Sequence, residues 1–214
     1  MLITAIITVI AAYLIGSINF AVIFSKVFLK TDVRNLGSGN AGTTNVMRNG
    51  GFLPGALTFL CDALKGFVAS YMGYLIFGYM SHYTAWAMAI YGAYVCGTAC
   101  MLGHIFPIFY QFKGGKGVAT SVGIFAVCCP IAIVIGLAVF ALVAFVSKYV
   151  SLASIAATVT VVTLSIVFYD YYASIYVQAF FILVMGAIVI LKHKSNIKRL
   201  ISGTENKIGK GGKK

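Results

Sequence analysis

Six apolar segments, 2–25, 54–78, 84–103, 118–147, 151–168 and 175–191, occupy most of this 214-residue chain. Stretches of about 18 to 25 apolar residues are long enough to cross a bilayer core. A chain in hydrocarbon must satisfy its backbone groups internally, which leaves helices as the form for such segments. The sequence therefore predicts an all-α integral membrane protein. Composition supports this by exclusion: 61% of residues are hydrophobic and 9% charged, against about a quarter charged in a soluble domain. The formal net charge of +12 marks cytoplasmic loops rather than a nucleic-acid surface. The five cysteines lie in apolar runs without a CxxC spacing, so neither a disulfide framework nor a zinc site is expected. Cys96, Cys100 and His104 share a helical stripe and are read as core residues; no metal and no cofactor is expected. The N-terminus lacks a basic n-region, and its apolar run reads as a retained span.

The breaks between segments carry the charge. Lys26, Lys30, Arg34 and Arg48 lie in the first, Lys113 and Lys116 in the third, Lys148 in the next, and eight basic residues follow from Lys192 onward. The breaks at 79–83 and 169–174 hold no Lys or Arg. With the N-terminus outside, the first and third breaks are cytoplasmic, as the positive-inside rule requires. If 118–147 were a single span, Lys148 and the basic tail would both fall outside. That segment would be about 45 Å long at roughly 1.5 Å per residue, and Cys128-Cys129-Pro130 offers a break. The expectation is two short helices, 115–129 and 130–147, giving seven transmembrane helices with the C-terminus inside. The alternative is one long tilted helix with another segment re-entrant. Residues 1–202 form a single transmembrane domain on this reading, and 203–214 a basic, flexible cytoplasmic tail that contacts anionic lipid headgroups.

Three breaks are dense in groups that bind anions. The first reads Gly37-Ser38-Gly39-Asn40-Ala41-Gly42-Thr43-Thr44-Asn45-Val46-Met47-Arg48. Its glycines permit close backbone approach, and its hydroxyls, amides and N–H groups suit an anion nest. The string matches G-x-G-x-x-G with Asp62 twenty residues beyond the last glycine. No strand precedes it and that aspartate lies in a membrane segment, so the dinucleotide reading fails. The third break runs from His104 to Thr120 and contains Lys113-Gly114-Gly115-Lys116-Gly117 directly before an apolar helix. Helix N-terminal N–H groups and two lysines are suited to hold a phosphate. It is not a Walker A motif, because Gly117 stands where Ser or Thr would bind magnesium. A small organophosphate fits better than ATP.

The C-terminal break places His193, Asn196 and Leu200 on one helical face. Glu205, alone among lysines, is read as a structural partner near the site. Asp62 and Lys65 lie at i, i+3 in the second span, a spacing suited to an internal salt bridge. Ser151 and Ser154 either face the same cavity or pack helices.

The three strings GSGNAGTTNVMR, HIFPIFYQFKGGKGVAT and HKSNIKRLISGTENK together resemble the bacterial acyl-phosphate:glycerol-3-phosphate acyltransferase family, the PlsY family, over essentially the full length. One departure is Ala41, where members often have Pro; it removes no donor. The resemblance implies transfer of a fatty acyl group from acyl phosphate to the 1-hydroxyl of sn-glycerol 3-phosphate, giving lysophosphatidic acid and phosphate, the first acylation of phospholipid synthesis. It implies that Ser38, Arg48, His193 and Asn196 are catalytic and that Gly114, Gly115 and Gly117 form a phosphate loop. The substrate-binding set expected around them is Gly37, Gly39, Asn40, Gly42, Thr43, Thr44, Asn45, His104, Lys113 and Lys116, with Glu205 structural. It also implies a multi-pass protein of the bacterial inner membrane with its site facing the cytoplasm. The expected partners are the two substrates, membrane lipid and, functionally, a soluble enzyme producing acyl phosphate, with no nucleic acid.

The residues themselves fit such chemistry. Both substrates carry phosphate, and an acid-poor face with Arg48, Lys113 and Lys116 attracts them. The base is either His193 or a substrate phosphate, whose second pKa is about 6 by analogy with phosphorylated side chains. Ser38 serves as a hydrogen-bonding group or, less economically, as a nucleophile. The rival function class is an organophosphate transporter or exchanger, but those place binding residues near the midplane and carry internal repeats, neither of which is visible here. A non-catalytic membrane assembly protein would have no use for three such loops.

Overall fold

The computed structural model describes residues 1–81, 85–171 and 173–208. The described residues form helices and short 3-10 turns, with no strand among them. In chain order the helices are α1 Leu2–Ser17, α2 Phe20–Leu29, α3 Thr43–Gly50, α4 Phe52–Tyr79, α5 Ala85–Ile105, α6 Val118–Cys128, α7 Pro130–Ser147, α8 Val150–Val167, α9 Ile175–Lys192 and α10 Lys194–Ile201.

Each of the six apolar segments is helical. Among the described residues, six stretches are long and apolar enough to cross a membrane: Leu2–Leu29, Phe52–Tyr79, Met88–Tyr110, Pro130–Ser147, Val150–Val167 and Ile175–Lys192. The expected break in 118–147 is present: α6 ends at Cys128, Cys129 adopts φ −155°, and Pro130 opens α7, where its missing N–H costs nothing. The eleven residues of α6 rise only about 16 Å, roughly half the thickness of a hydrocarbon core. The chain turns at Cys129, whose Sγ lies 4.0 Å from the carbonyl oxygen of Phe168 at the end of α8. It then returns along α7 to Lys148. Of the stretch expected to trail loosely, residues 203–208 lie against this corner: the Ile208 N–H donates to the Lys148 carbonyl at 2.8 Å. Residues 209–214 lie outside the described residues.

A second break divides the first segment. Asn19 caps α2 by accepting the Val22 N–H at 3.2 Å. The Ile18 carbonyl, released from the helix, accepts from Lys65 Nζ at 2.6 Å. A broken helix in hydrocarbon needs such substitutes for its lost hydrogen bonds.

The long α4 is the central post, packed on α1, α5 and α6. Small residues set these approaches, as expected where association depends on packing rather than on expelling water. Gly73 of α4 and Gly92 of α5 face each other's carbonyls, and Gly123 of α6 sits against the Ala63 carbonyl of α4. A buried cluster including Tyr94, Met101, Ile124, Phe125, Ile182 and Met185 joins α5, α6 and α9. Outer faces carry exposed Leu142, Phe145 and Phe180, the surface a bilayer would cover. This packing brings the starts of α3, α6 and α8 and the α9–α10 corner to one end of the bundle.

Candidate active site

The first loop is organised by Asn45, buried at the start of α3. Its Nδ2 donates to the carbonyls of Val33, Leu36 and Asn40 at 2.9–3.1 Å, and its Oδ1 accepts the Ser38 N–H at 3.2 Å. Gly37 and Gly39, at φ +52° and +70°, provide the left-handed turns on either side of Ser38 that side chains rarely adopt. Ser38, Asn40, Gly42, Thr43, Thr44, Asn45 and Arg48 line a common cavity; Gly37 and Gly39 shape the loop behind it. Asp32 and Arg34 fasten the loop from outside. Arg34 pairs with Asp32 at 2.8 Å and donates to the Tyr110 carbonyl at 3.0 Å. The Arg34 hydrogen bond is the main reason the Asp32 carboxyl is held below its usual range.

The second motif contributes less uniformly than its sequence suggests. The N–H groups of Gly114 and Gly115 are already committed to the Ile105 and His104 carbonyls, at 3.2 and 3.1 Å. Neither glycine lines the cavity, and Lys113 is exposed outside it. His104, Lys116 and Gly117 do line it. Gly117, at φ +90°, caps α6 and leaves the first N–H groups of that helix without intrahelical partners. Lys116 Nζ donates to Asn196 Oδ1 at 2.5 Å. Burial, reinforced by the charges of Arg199 and Arg48, pushes the Lys116 ammonium down to about 8.

The third motif closes the site from α9 and α10. His193 is buried, and its Nδ1 lies 2.8 Å from the Val189 carbonyl oxygen. A carbonyl only accepts, so the neutral ring carries its proton on Nδ1 and keeps Nε2 as an acceptor. Burial, and then the Lys116 charge, depress His193 to about 4, so the ring is neutral near pH 7. Asn196 passes from Lys116 to Glu205: its Nδ2 donates to Glu205 Oε1 at 2.9 Å. Glu205 also accepts from Ser151 at 3.1 Å and from Arg199 Nε at 2.7 Å. Burial opposes ionisation of this carboxyl, but the hydrogen bonds from Asn196, Arg199 and Ser151 outweigh it and hold it below its ordinary range.

The cavity, about 250 Å³, thus gathers residues from three loops that extend from Ser38 to Asn206 along the chain. Below the polar mouth it continues between apolar side chains of α6 to α9, among them Phe125, Leu137, Val161 and Met185. Sequence reasoning missed several contributors. Asp62, read chiefly as a partner of Lys65, does pair with it at 2.8 Å, yet it also lies 3.4 Å from His104 Nδ1 and lines the cavity. Arg199 holds Glu205; a basic residue six positions before a lone acid was the available signal. Ser151 and Ser154 face the cavity, which their helical pattern alone left open.

A family model described as glycerol-3-phosphate acyltransferase matches residues 6–203. The glycerol-3-phosphate acyltransferase of Thermoanaerobacter sp. (strain X514) is 43% identical over 205 residues, covering 96% of each chain. Glycerol-3-phosphate acyltransferase 2 of Bacillus anthracis is 40% identical over 203 residues, covering 95% of this chain and 98% of its own. Among solved structures, the fold is similar to that of PlsY (YgiH), an integral membrane glycerol 3-phosphate acyltransferase. Its glycerol 3-phosphate form superposes with a TM-score of 0.84 at 38% identity, over 96% of both chains. Its lysophosphatidic acid form gives 0.81 at 37% identity, with the same coverage.

Proposed function

This chain belongs to the glycerol-3-phosphate acyltransferase family, and from that premise we propose how its own residues carry out the reaction. The donor is an acyl phosphate and the acceptor the 1-hydroxyl of sn-glycerol 3-phosphate. The observation that carries this reading is the single cavity with a cationic, hydroxyl-rich mouth and an apolar arm. The mouth suits two phosphates, and the arm suits a hydrocarbon chain.

Two helix N-termini open on the mouth, each favouring an anion through unpaired N–H groups. The α6 terminus with Lys116 holds the glycerol 3-phosphate, and the α3 terminus with Arg48 and Ser38 holds the acyl phosphate. Gly114 and Gly115, whose N–H groups are engaged, serve by fitting closely rather than by donating. The hydroxyl oxygen attacks the acyl carbonyl carbon while His193 Nε2 accepts its hydrogen bond and Asn196 keeps Lys116 in place. Arg48 and backbone donors stabilise the oxyanion. The bond from the carbonyl carbon to the phosphate oxygen then breaks, and inorganic phosphate leaves. An imidazole depressed to about 4 is a poor store for the proton, whereas a phosphate with a second pKa of about 6 takes it readily. His193 orients the hydroxyl and the departing phosphate receives the proton. No cofactor is required, because the mixed anhydride is already activated.

The orientation follows from charge. Apart from Lys65, the described basic residues lie at the cavity end or in its loops, so this end faces the cytoplasm and the N-terminus lies outside. Seven traverses result, with α6 as the short one, entered from the 114–117 turn. The protein is a multi-pass component of the bacterial inner membrane, formed by residues 1–202 with a basic tail from 203. It receives its donor from a soluble acyl-phosphate-producing enzyme.

The test gives the purified protein labelled glycerol 3-phosphate with either palmitoyl phosphate or palmitoyl-CoA, and measures lysophosphatidic acid. Product from the acyl phosphate alone is expected. Product only from the thioester refutes the donor. Absence of product from both, together with uptake of labelled glycerol 3-phosphate into sealed vesicles, would replace the enzyme reading by a transporter.

A further inference from the structure

Beneath the cavity mouth lies a buried polar chain that the transfer chemistry does not use. Lys65 Nζ bridges the Ile18 carbonyl, at 2.6 Å, and Asp62 Oδ1, at 2.8 Å. The same Asp62 oxygen lies 3.4 Å from His104 Nδ1. Asp62 is 1% exposed and His104 4%. A neutralised Asp–Lys pair gains little from a third desolvated polar group, and an aliphatic side chain would pack at this place more cheaply. Buried ionisable groups in a membrane protein ordinarily mark function.

The other edge of the imidazole indicates what that function is. A Cβ on Gly115 would overlap His104 Nε2 and would lie 2.8 Å from the Ala41 carbonyl oxygen. The His104 and Ile105 carbonyls accept the N–H groups of Gly115 and Gly114. One residue thus grips the 114–117 turn by backbone and by ring, and presses it toward the first loop at Ala41. Lys116 and the cap of α6 follow immediately in sequence, so the seat of the turn fixes where both point.

We propose that His104 is a positioning residue, clamped by Asp62, whose ring sets the distance between the 114–117 turn and the first loop and so places Lys116 and the α6 N-terminus on one phosphate. This rests on the reading that glycerol 3-phosphate is held there. His104 acts through Gly115 rather than on the reacting atoms. Its loss therefore weakens acceptor binding while leaving the acyl donor and the chemical step nearly unchanged.

A double-substitution cycle in the purified full-length protein tests this, using His104→Ala and Gly115→Ala. Glycerol 3-phosphate affinity is measured by calorimetry, and KM and kcat for both substrates by lysophosphatidic acid formation. Gly115→Ala alone should weaken glycerol 3-phosphate binding about tenfold or more, because the methyl and the ring overlap. In the His104→Ala background the same change should cost clearly less, the ring having vacated the space and only the Ala41 carbonyl, 2.8 Å from the new methyl, still opposing it. Acyl phosphate KM and kcat should stay within about threefold throughout. Equal effects of Gly115→Ala in the two backgrounds, or parallel losses for both substrates, would overturn the proposal. Should His104→Ala not fold, His104→Asn keeps a donor toward Asp62, withdraws the edge facing Gly115, and carries the same cycle. Glycerol 3-phosphate binding without acyl transfer would refute the enzymatic reading while still deciding the cycle; absence of binding by the unaltered protein would refute both.

Discussion

Removing Glu205 offers the sharpest test of how the C-terminal segment completes the site. Its side chain is 6% exposed and accepts three hydrogen bonds, from Ser151, Asn196 and Arg199. Glu205→Gln retains an oxygen for Ser151 and Asn196 but sets an amide against Arg199 Nε, removing one charge-assisted hydrogen bond. Such bonds contribute about 1.5 to 3 kcal/mol, and the partial exposure of Arg199 favours the lower part of that range. Glu205→Ala also leaves Asn196 Nδ2 buried without an acceptor, a further cost of about 1 to 3 kcal/mol. For a chain of this size each kcal/mol moves the melting temperature by about 2 to 4 °C. The melting temperature of the detergent-solubilised protein should therefore fall by roughly 3 to 8 °C for Gln and further for Ala. The pH dependence has a definite sign. The folded carboxyl lies below its ordinary value of 4.5, so the folded state binds fewer protons than the unfolded one at intermediate pH. Its stabilisation is complete above about pH 4.5 and lost as pH falls through the folded value. Glu205→Gln should flatten this loss. Melting of both variants within about 1 °C of the unaltered protein would refute the network reading.

Other outcomes follow from the same geometry. Lys116, at about 8, should lose its charge as pH rises, so kcat/KM for glycerol 3-phosphate should fall above pH 8; Lys116→Arg, which stays protonated, should remove that limb from the pH–rate profile. Ser38→Ala and His193→Ala should each lower kcat by about 10²-fold or more with melting temperatures unchanged; turnover near normal would remove either residue from the mechanism. Gly123→Leu should prevent stable folding, because a Cβ there already overlaps the Ala63 carbonyl; a normal melt would show that α4 and α6 are not held in this contact.

Much of this was legible along the chain. The apolar segments emerged as helices because each is too long and too uniform for another form in hydrocarbon. Pro130 marked the reversal after α6, since it cannot continue a preceding helix with its ring and missing donor. Asp62 and Lys65 were readable as a pair because i, i+3 neighbours on a helix meet wherever the helix is placed. The site was legible in kind but not in detail. Glycines in the third break signalled a close approach, yet the partner turned out to be His104 as well as any ligand.

What the sequence determined by itself, then, is local or compositional. The period of the apolar residues, the side that carries the lysines and the residue types gathered in three loops require no knowledge of distant neighbours. Only the tertiary structure decided the long-range pairings: Asp62 with His104, Lys116 with Asn196, Glu205 with Ser151. It also decided the acceptor edge of His193, which depends on the Val189 carbonyl standing 2.8 Å from Nδ1. Such contacts depend on how closely small residues let the helices approach, and that distance is a property of packed pairs rather than of any one segment.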